Sequence, residues 1–230
     1  MCLIQIGSGS SNYDTYVQDG FTNFVKKNNI KDPIFIIEAN SIHLENLKKY
    51  WGNKKNVKIF NFAIIPDNIQ KEKMTFFYSL NDSPNYQIFS NSELFVEKYF
   101  PKGTIKEKVI SCIKISKFLE ENEITDISYL SLDIEGMDYD VLMNLNFDKF
   151  NIKNISFEHL HLNLWQKIKI ISKLVKNGYF FSGMGFDLRK SDWMFTKNYK
   201  TKKFFTYLLP ITPRRIWKKY LFSNEIKVRD

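Results

Sequence analysis

The sequence predicts an α/β fold: a mostly parallel sheet with helices on both faces. Three observations predict it. Short β-branched or aromatic runs recur at CLIQI, PIFII and VKIFNF. Longer segments whose apolar residues follow helical spacing separate them, and Gly7-Ser8-Gly9 directly follows the first run. Strand–helix–strand alternation of this kind folds as parallel strands joined by helical crossovers.

Residues 2–6 read as the first strand. A helix over 15–28 follows, with Val17, Phe21, Phe24 and Val25 on one side. Residues 33–37 are the second strand, 42–51 a helix carrying Leu44, Leu47 and Trp51, and 57–62 the third strand. KMTFFYS (73–79) reads as an edge strand or hairpin arm. Residues 80–107 are polar and read as an inserted substrate or lid loop. The alternation resumes with an extended VISCIKI (109–115), a helix over 116–122 and an apolar central strand SYLSLDI (128–134). A helix over 137–145, the strand NISFEHL (154–160) and a helix over 163–177 come next. YFFSGMGF (179–186) and DWMFTK (192–197) pair as a closing hairpin. One domain over 1–199 and a tail over 200–230 account for the chain.

Hydrophobic residues make up 43% of the 230, with 21 Phe, enough for a sizeable core and against a disordered chain. Cys2 and Cys112 sit in apolar runs and read as buried free thiols of a reducing compartment. No run approaches the ~20 apolar residues of a membrane span, and no secretory leader is recognisable. The expectation is a cytoplasmic protein. The net charge of +9 is partly a Lys- and Asn-rich background. It is concentrated in FFTYLLPITPRRIWKKYLF, where Trp217, Tyr220 and Phe222 interleave with basic residues. That tail reads either as a peripheral contact with an anionic membrane face or as a helix packed on the domain or on a second copy. No nucleic-acid motif accompanies the charge.

Four stretches carry chemistry. Gly7-Ser8-Gly9 lets the backbone approach a ligand where a helix N-terminus offers free N–H groups. Ser11 and Asn12 stand where a dinucleotide fingerprint has its third glycine, which disfavours an NAD-linked enzyme. Glu38 in IFIIEAN, followed by Ala39, ends the second strand, where an acid accepts hydrogen bonds from ribose hydroxyls. Asp133 ends the central strand. With Glu135 it can orient a hydroxyl, act as general base or hold a divalent cation. Asp138 and Asp140 read as solvated or helix-capping. Glu158 and His159 end the next strand, with His159 a general base. His161 is secondary, His43 reads as a surface residue, and no zinc site is expected from three histidines.

Taken in order, IQIGSGSSNYD, IFIIEANSIHLENLKKY, VKIFNFAI, the LDIEG core with its lead-in, and ISFEH resemble the FkbM-like S-adenosylmethionine-dependent methyltransferases over about residues 3–197. The resemblance implies a Rossmann-like class I methyltransferase fold of seven strands, the last antiparallel. It implies that Gly7, Ser8 and Gly9 pass beside the methionine end of the cofactor and that Glu38 and Ala39 lie at the ribose. Phe62 and Ala63 would lie at the adenine, and Asp133 beside the sulfonium and the acceptor. Glu135, Glu158 and His159 would face the acceptor, a hydroxyl of a sugar, glycan or related small metabolite. The family commonly has a glycine near Ser11 and sequence ahead of the first strand, so the pocket roof is expected from 80–107 or from a partner chain. A non-catalytic binding protein that keeps the fold is the alternative.

Overall fold

The computed structural model describes residues 1–11, 19–84, 87–185 and 192–197. Val17, the tip of the closing hairpin and the whole basic tail lie outside them. Strands β1 (Cys2–Ile6), β2 (Ile34–Ile37) and β3 (Val57–Phe60) form one half of a seven-stranded sheet. The other half holds β7 (Asp126–Leu132), β8 (Asn151–Glu158), β9 (Phe180–Met184) and β10 (Asp192–Thr196). The order is β3-β2-β1-β7-β8-β10-β9. β10 lies antiparallel between β8 and β9, while the pairs from β3 through β8 run parallel. This is the Rossmann-like arrangement expected.

Period-2 alternation explains the layers. Ile4 and Ile6 of β1 and Phe35 and Ile37 of β2 enter one core, whereas Leu3, Ile34 and Ile36 enter another on the opposite face. The second core takes Phe21 and Val25 of α1 (Gly20–Lys27) and Leu47 and Trp51 of α2 (Leu44–Trp51). The first takes Phe118 of α4 (Ile115–Glu121), Val141 of α5 (Asp138–Asn144) and Leu174 of α6 (Leu164–Lys176). Local signals set the helix ends. Asp19 caps α1 by accepting from the N–H groups of Phe21 and Thr22, and Asn163 with Gln166 forms a capping box on α6. Helix α1 therefore begins at Gly20 rather than at residue 15. Among the described residues no helix is long and apolar enough to cross a membrane.

Two expectations are corrected. The third strand stops at Phe60. Ala63–Ile65 is a separate strand, β4, in a second sheet of order β4-β6-β5, with β5 at Lys73–Ser79 and β6 at Ile105–Lys114. The segment 80–107 is no irregular loop: it contains α3 (Glu93–Tyr99), capped by Ser92, and the start of β6. The cysteines are free, Cys2 buried and Cys112 only half-buried.

β1 and β7 end side by side. The Asp133 N–H donates to the Ile6 carbonyl at 3.0 Å and the Gly7 N–H to the Ile37 carbonyl at 2.9 Å. A Cβ on Gly7, whose φ is +77°, would stand 1.7 Å from the Asp133 carbonyl oxygen. A Cβ on Gly9 would meet nothing within 4 Å. Gly7→Ala is therefore expected to cost ~3 kcal/mol or more, a melting point lower by roughly 10 °C. Gly9→Ala, strained only by its φ of +54°, is expected to cost ~1 kcal/mol. Thermal unfolding of the two variants checks the contrast.

Candidate active site

The loop after β1 curls over the end of β2. The Gly9 N–H donates to Glu38 Oε2 and the Asn40 N–H to Glu38 Oε1, both at 2.7 Å. Burial pushes the Glu38 carboxyl up to about 7, against the downward pull of N–H donors from Asn40, Gly9, Ser8 and Ala39. Ser11 takes a φ of +55°, the left-handed backbone that glycine adopts at least cost. Its hydroxyl accepts from the Trp51 indole N–H at 2.9 Å, which ties the loop to α2. Thus a side-chain bond supports a serine in the left-handed backbone of this loop.

The loop, Glu38 and the end of β7 enclose a cavity of ≈ 290 Å³. Gly7, Ser8, Gly9, Glu38, Ala39, Phe62, Ala63 and Asp133 all line it, and so does Glu135. The eight residues assigned from the sequence to a cofactor therefore share one cavity. Asp133 is exposed to it. Enclosure by the walls raises its carboxyl well above the usual range, followed by the charges of Glu135, Asp192, Glu158 and Asp138. Since its side chain still meets water in the open cavity, the enclosure acts in full only when a ligand fills the space.

Three assignments are corrected. His159 does not line the cavity. Its ring stacks on Trp193 of β10, with centroids 4.3 Å apart and planes 13° from parallel. Glu158, one residue earlier, contacts His161 instead: Glu158 Oε2 lies 2.7 Å from His161 Nε2, and Glu135 Oε2 lies 3.9 Å from the same atom. The histidine brought to the carboxylates is thus His161, because the turn after β8 returns the chain two residues later. His43 is not on the surface. It is 3% exposed, lines the cavity, and its Nδ1 lies 2.7 Å from the Ser10 hydroxyl. Asp138 is not solvated either but 2% exposed; burial, then the charge of Glu158, pushes its carboxyl up to about 7. Asp140 is exposed, as read. Burial and the Glu158 charge also push Glu135 up to about 7, while the hydrogen bond with Glu158 raises His161.

Sequence reading missed several lining residues. Gln5 and Ser131 are polar interruptions in apolar strands, each two residues before Gly7 or Asp133 and so on the same strand face; that signal was readable. Asp192, 4% exposed and bonded by the Ser156 hydroxyl at 3.1 Å, comes from the hairpin partner of β8. Phe76 and Phe89 form an apolar wall from the small sheet and the segment that follows it.

A family model described as the methyltransferase FkbM domain matches residues 10–181. The chain belongs to the FkbM methyltransferase family. No curated protein and no solved structure matches it. Within this FkbM domain the matched span covers the glycine-loop end, the Glu38 strand, the Asp133 strand and the Glu158–His161 turn. Family membership points to methyl transfer chemistry.

The buried His43 gives the site a pH signature. Burial lowers it from 6.5 to about 4, so as pH falls the unfolded chain binds this proton first. The stability it contributes is present above pH ~6.5 and is lost between there and pH ~4, by ~3 kcal/mol in all. His43→Gln lacks this component. Urea unfolding of both proteins at pH 7 and pH 4 is expected to show wild type losing ~3 kcal/mol relative to the variant.

Proposed function

We propose that the chain transfers a methyl group from S-adenosylmethionine to a hydroxyl of a sugar, glycan or related small metabolite. The observation that carries this is the convergence of the Gly7–Gly9 loop, Glu38 and Asp133 on one cavity in a domain of the FkbM methyltransferase family.

The residues fit the cofactor. The cavity of ≈ 290 Å³ matches the lower end of small-molecule sites, ~300 Å³. Gly9 leaves open space where a side chain would stand, so backbone can lie directly against a ligand. The carboxylates around Asp133 suit a cationic sulfonium. Glu38 accepts from the N–H groups of Gly9 and Asn40 and lines the cavity, where its oxygens can also accept from a ribose hydroxyl. Phe62 and Ala63 offer an apolar surface for a purine. When bound, S-adenosylmethionine supplies an electrophilic methyl group.

The remaining work falls to the chain. Methyl transfer is an in-line displacement, so aligning acceptor and methyl accounts for much of the rate. Asp133, at the cavity end of β7, accepts the acceptor hydroxyl's proton as general base. Phe76, Phe89 and Met137 wall the other side and exclude water.

Calorimetry with S-adenosylmethionine and with NAD tests the reading. Binding of the first and not the second is expected, with Glu38→Ala weakening it at least ~10-fold. No heat with S-adenosylmethionine at millimolar concentration overturns the proposal and favours a binding protein that keeps the fold. In a methyl-transfer screen over sugar and glycolipid acceptors, Asp133→Asn is expected to lower kcat by ~100-fold or more.

A further inference from the structure

We propose that Glu135, Glu158 and His161 form a divalent-cation site at the acceptor edge of the cavity. It rests on the methyl-transfer reading only for its role, not for its existence. One oxygen from each glutamate and one histidine nitrogen lie within 4.8 Å of one another. Glu158 Oε2 and Glu135 Oε2 stand 2.7 and 3.9 Å from His161 Nε2. Bonds of ~2.0–2.2 Å to a first-row cation place neighbouring donors ~3–4 Å apart, so small side-chain shifts complete the geometry. All three groups are half-buried and reachable from solvent.

Two further observations point the same way. His161 is held from behind as a ligating histidine is. Its Nδ1 lies 3.1 Å from the Tyr99 hydroxyl, and the Phe95 ring meets it edge-on at 4.6 Å. The Nε2–H donates to Glu158; a bound cation displaces that proton and takes the Nε2 lone pair, while Nδ1–H donates to Tyr99. Charge balance also calls for a cation. Among the described residues no Lys or Arg forms an ion pair with Asp133, Glu135, Asp138 or Glu158, although the chain carries +9 overall.

Two carboxylates and one imidazole suit Mn²⁺, Fe²⁺ or Zn²⁺ better than Ca²⁺, which takes six to eight oxygens. Three protein donors leave coordination positions open. Because Glu135 also lines the cavity, those positions face the acceptor. The site thus favours an acceptor with a second oxygen beside the hydroxyl that is methylated.

Mn²⁺ titrated into the full chain and followed by electron paramagnetic resonance tests the site. About one bound equivalent is expected, with nitrogen modulation from an imidazole ligand in the pulsed spectrum. Glu158→Gln and His161→Gln are expected to weaken binding ~100-fold, Tyr99→Phe ~10-fold, and the exposed Asp140→Asn not at all. Failure to bind millimolar Mn²⁺, a spectrum without nitrogen coupling, or binding unmoved by His161→Gln overturns the site. The nitrogen signal is read on wild type, so an unfolded variant does not decide the matter. Calorimetry with S-adenosylmethionine is scored separately: cofactor without Mn²⁺ binding sinks the cation site alone, and Mn²⁺ without cofactor binding sinks the methyl-transfer reading alone.

Discussion

Gly7 and Asp133 occupy a space with no room for one more carbon atom. The site depends on that crowding. Because β1 and β7 finish in contact, the backbone leaving β1 turns at once over β2, and the backbone leaving β7 delivers its carboxylate beside that turn. Glu38 then fastens the turn from below through the 2.7 Å hydrogen bond that its Oε2 accepts from the Gly9 N–H. Three chain segments far apart in sequence are thereby held in register by backbone contacts, which side-chain exchange elsewhere in the cavity leaves untouched.

Electrostatics divides the cavity into unlike halves. On the Glu38 side a buried carboxylate is satisfied by amide donors, as a buried charge requires. On the Asp133 side, acids crowd one another and His161 supplies the nearby positive charge. Burial and mutual repulsion hold Glu135 and Asp138 near 7, and the protonation of Glu135, which lines the cavity, responds to what occupies it.

The main sheet was legible because its strands are mostly apolar runs that stop at residues of a different kind: Ile6 at Gly7, Ile37 at Glu38, Leu132 at Asp133. Of the small sheet only β5 and the later part of β6 were legible, as the runs KMTFFYS and VISCIKI. β6 alternates charged and apolar residues on a half-exposed surface (IKEKVISCIK), and its partners lie some tens of residues away. The cavity-lining residues at strand ends were legible because strand ends announce them. His161 was misjudged because its place depends on the turn after β8, and His43 because one 3₁₀ turn over Ser41–His43 has too little periodicity to show which way it faces. Ser11 shows a subtler limit: the absent glycine was readable there, but the Trp51 bond that supports a serine in a left-handed backbone joins residues 40 apart.

The cavity is walled by two sheets that share no strand ladder. Gly7, Glu38 and Asp133 belong to the seven-stranded sheet, while Ala63 and Phe76 belong to the three-stranded one. Between them run the packed side chains of Ala39, Ile134 and Met137 and single bonds such as that from the Ser90 hydroxyl to the Glu135 carbonyl. A ligand that widens the gap therefore breaks contacts between sheets but no hydrogen bond within either. The cohesion of this seam is thus a quantity separable from the stability of the two halves it joins.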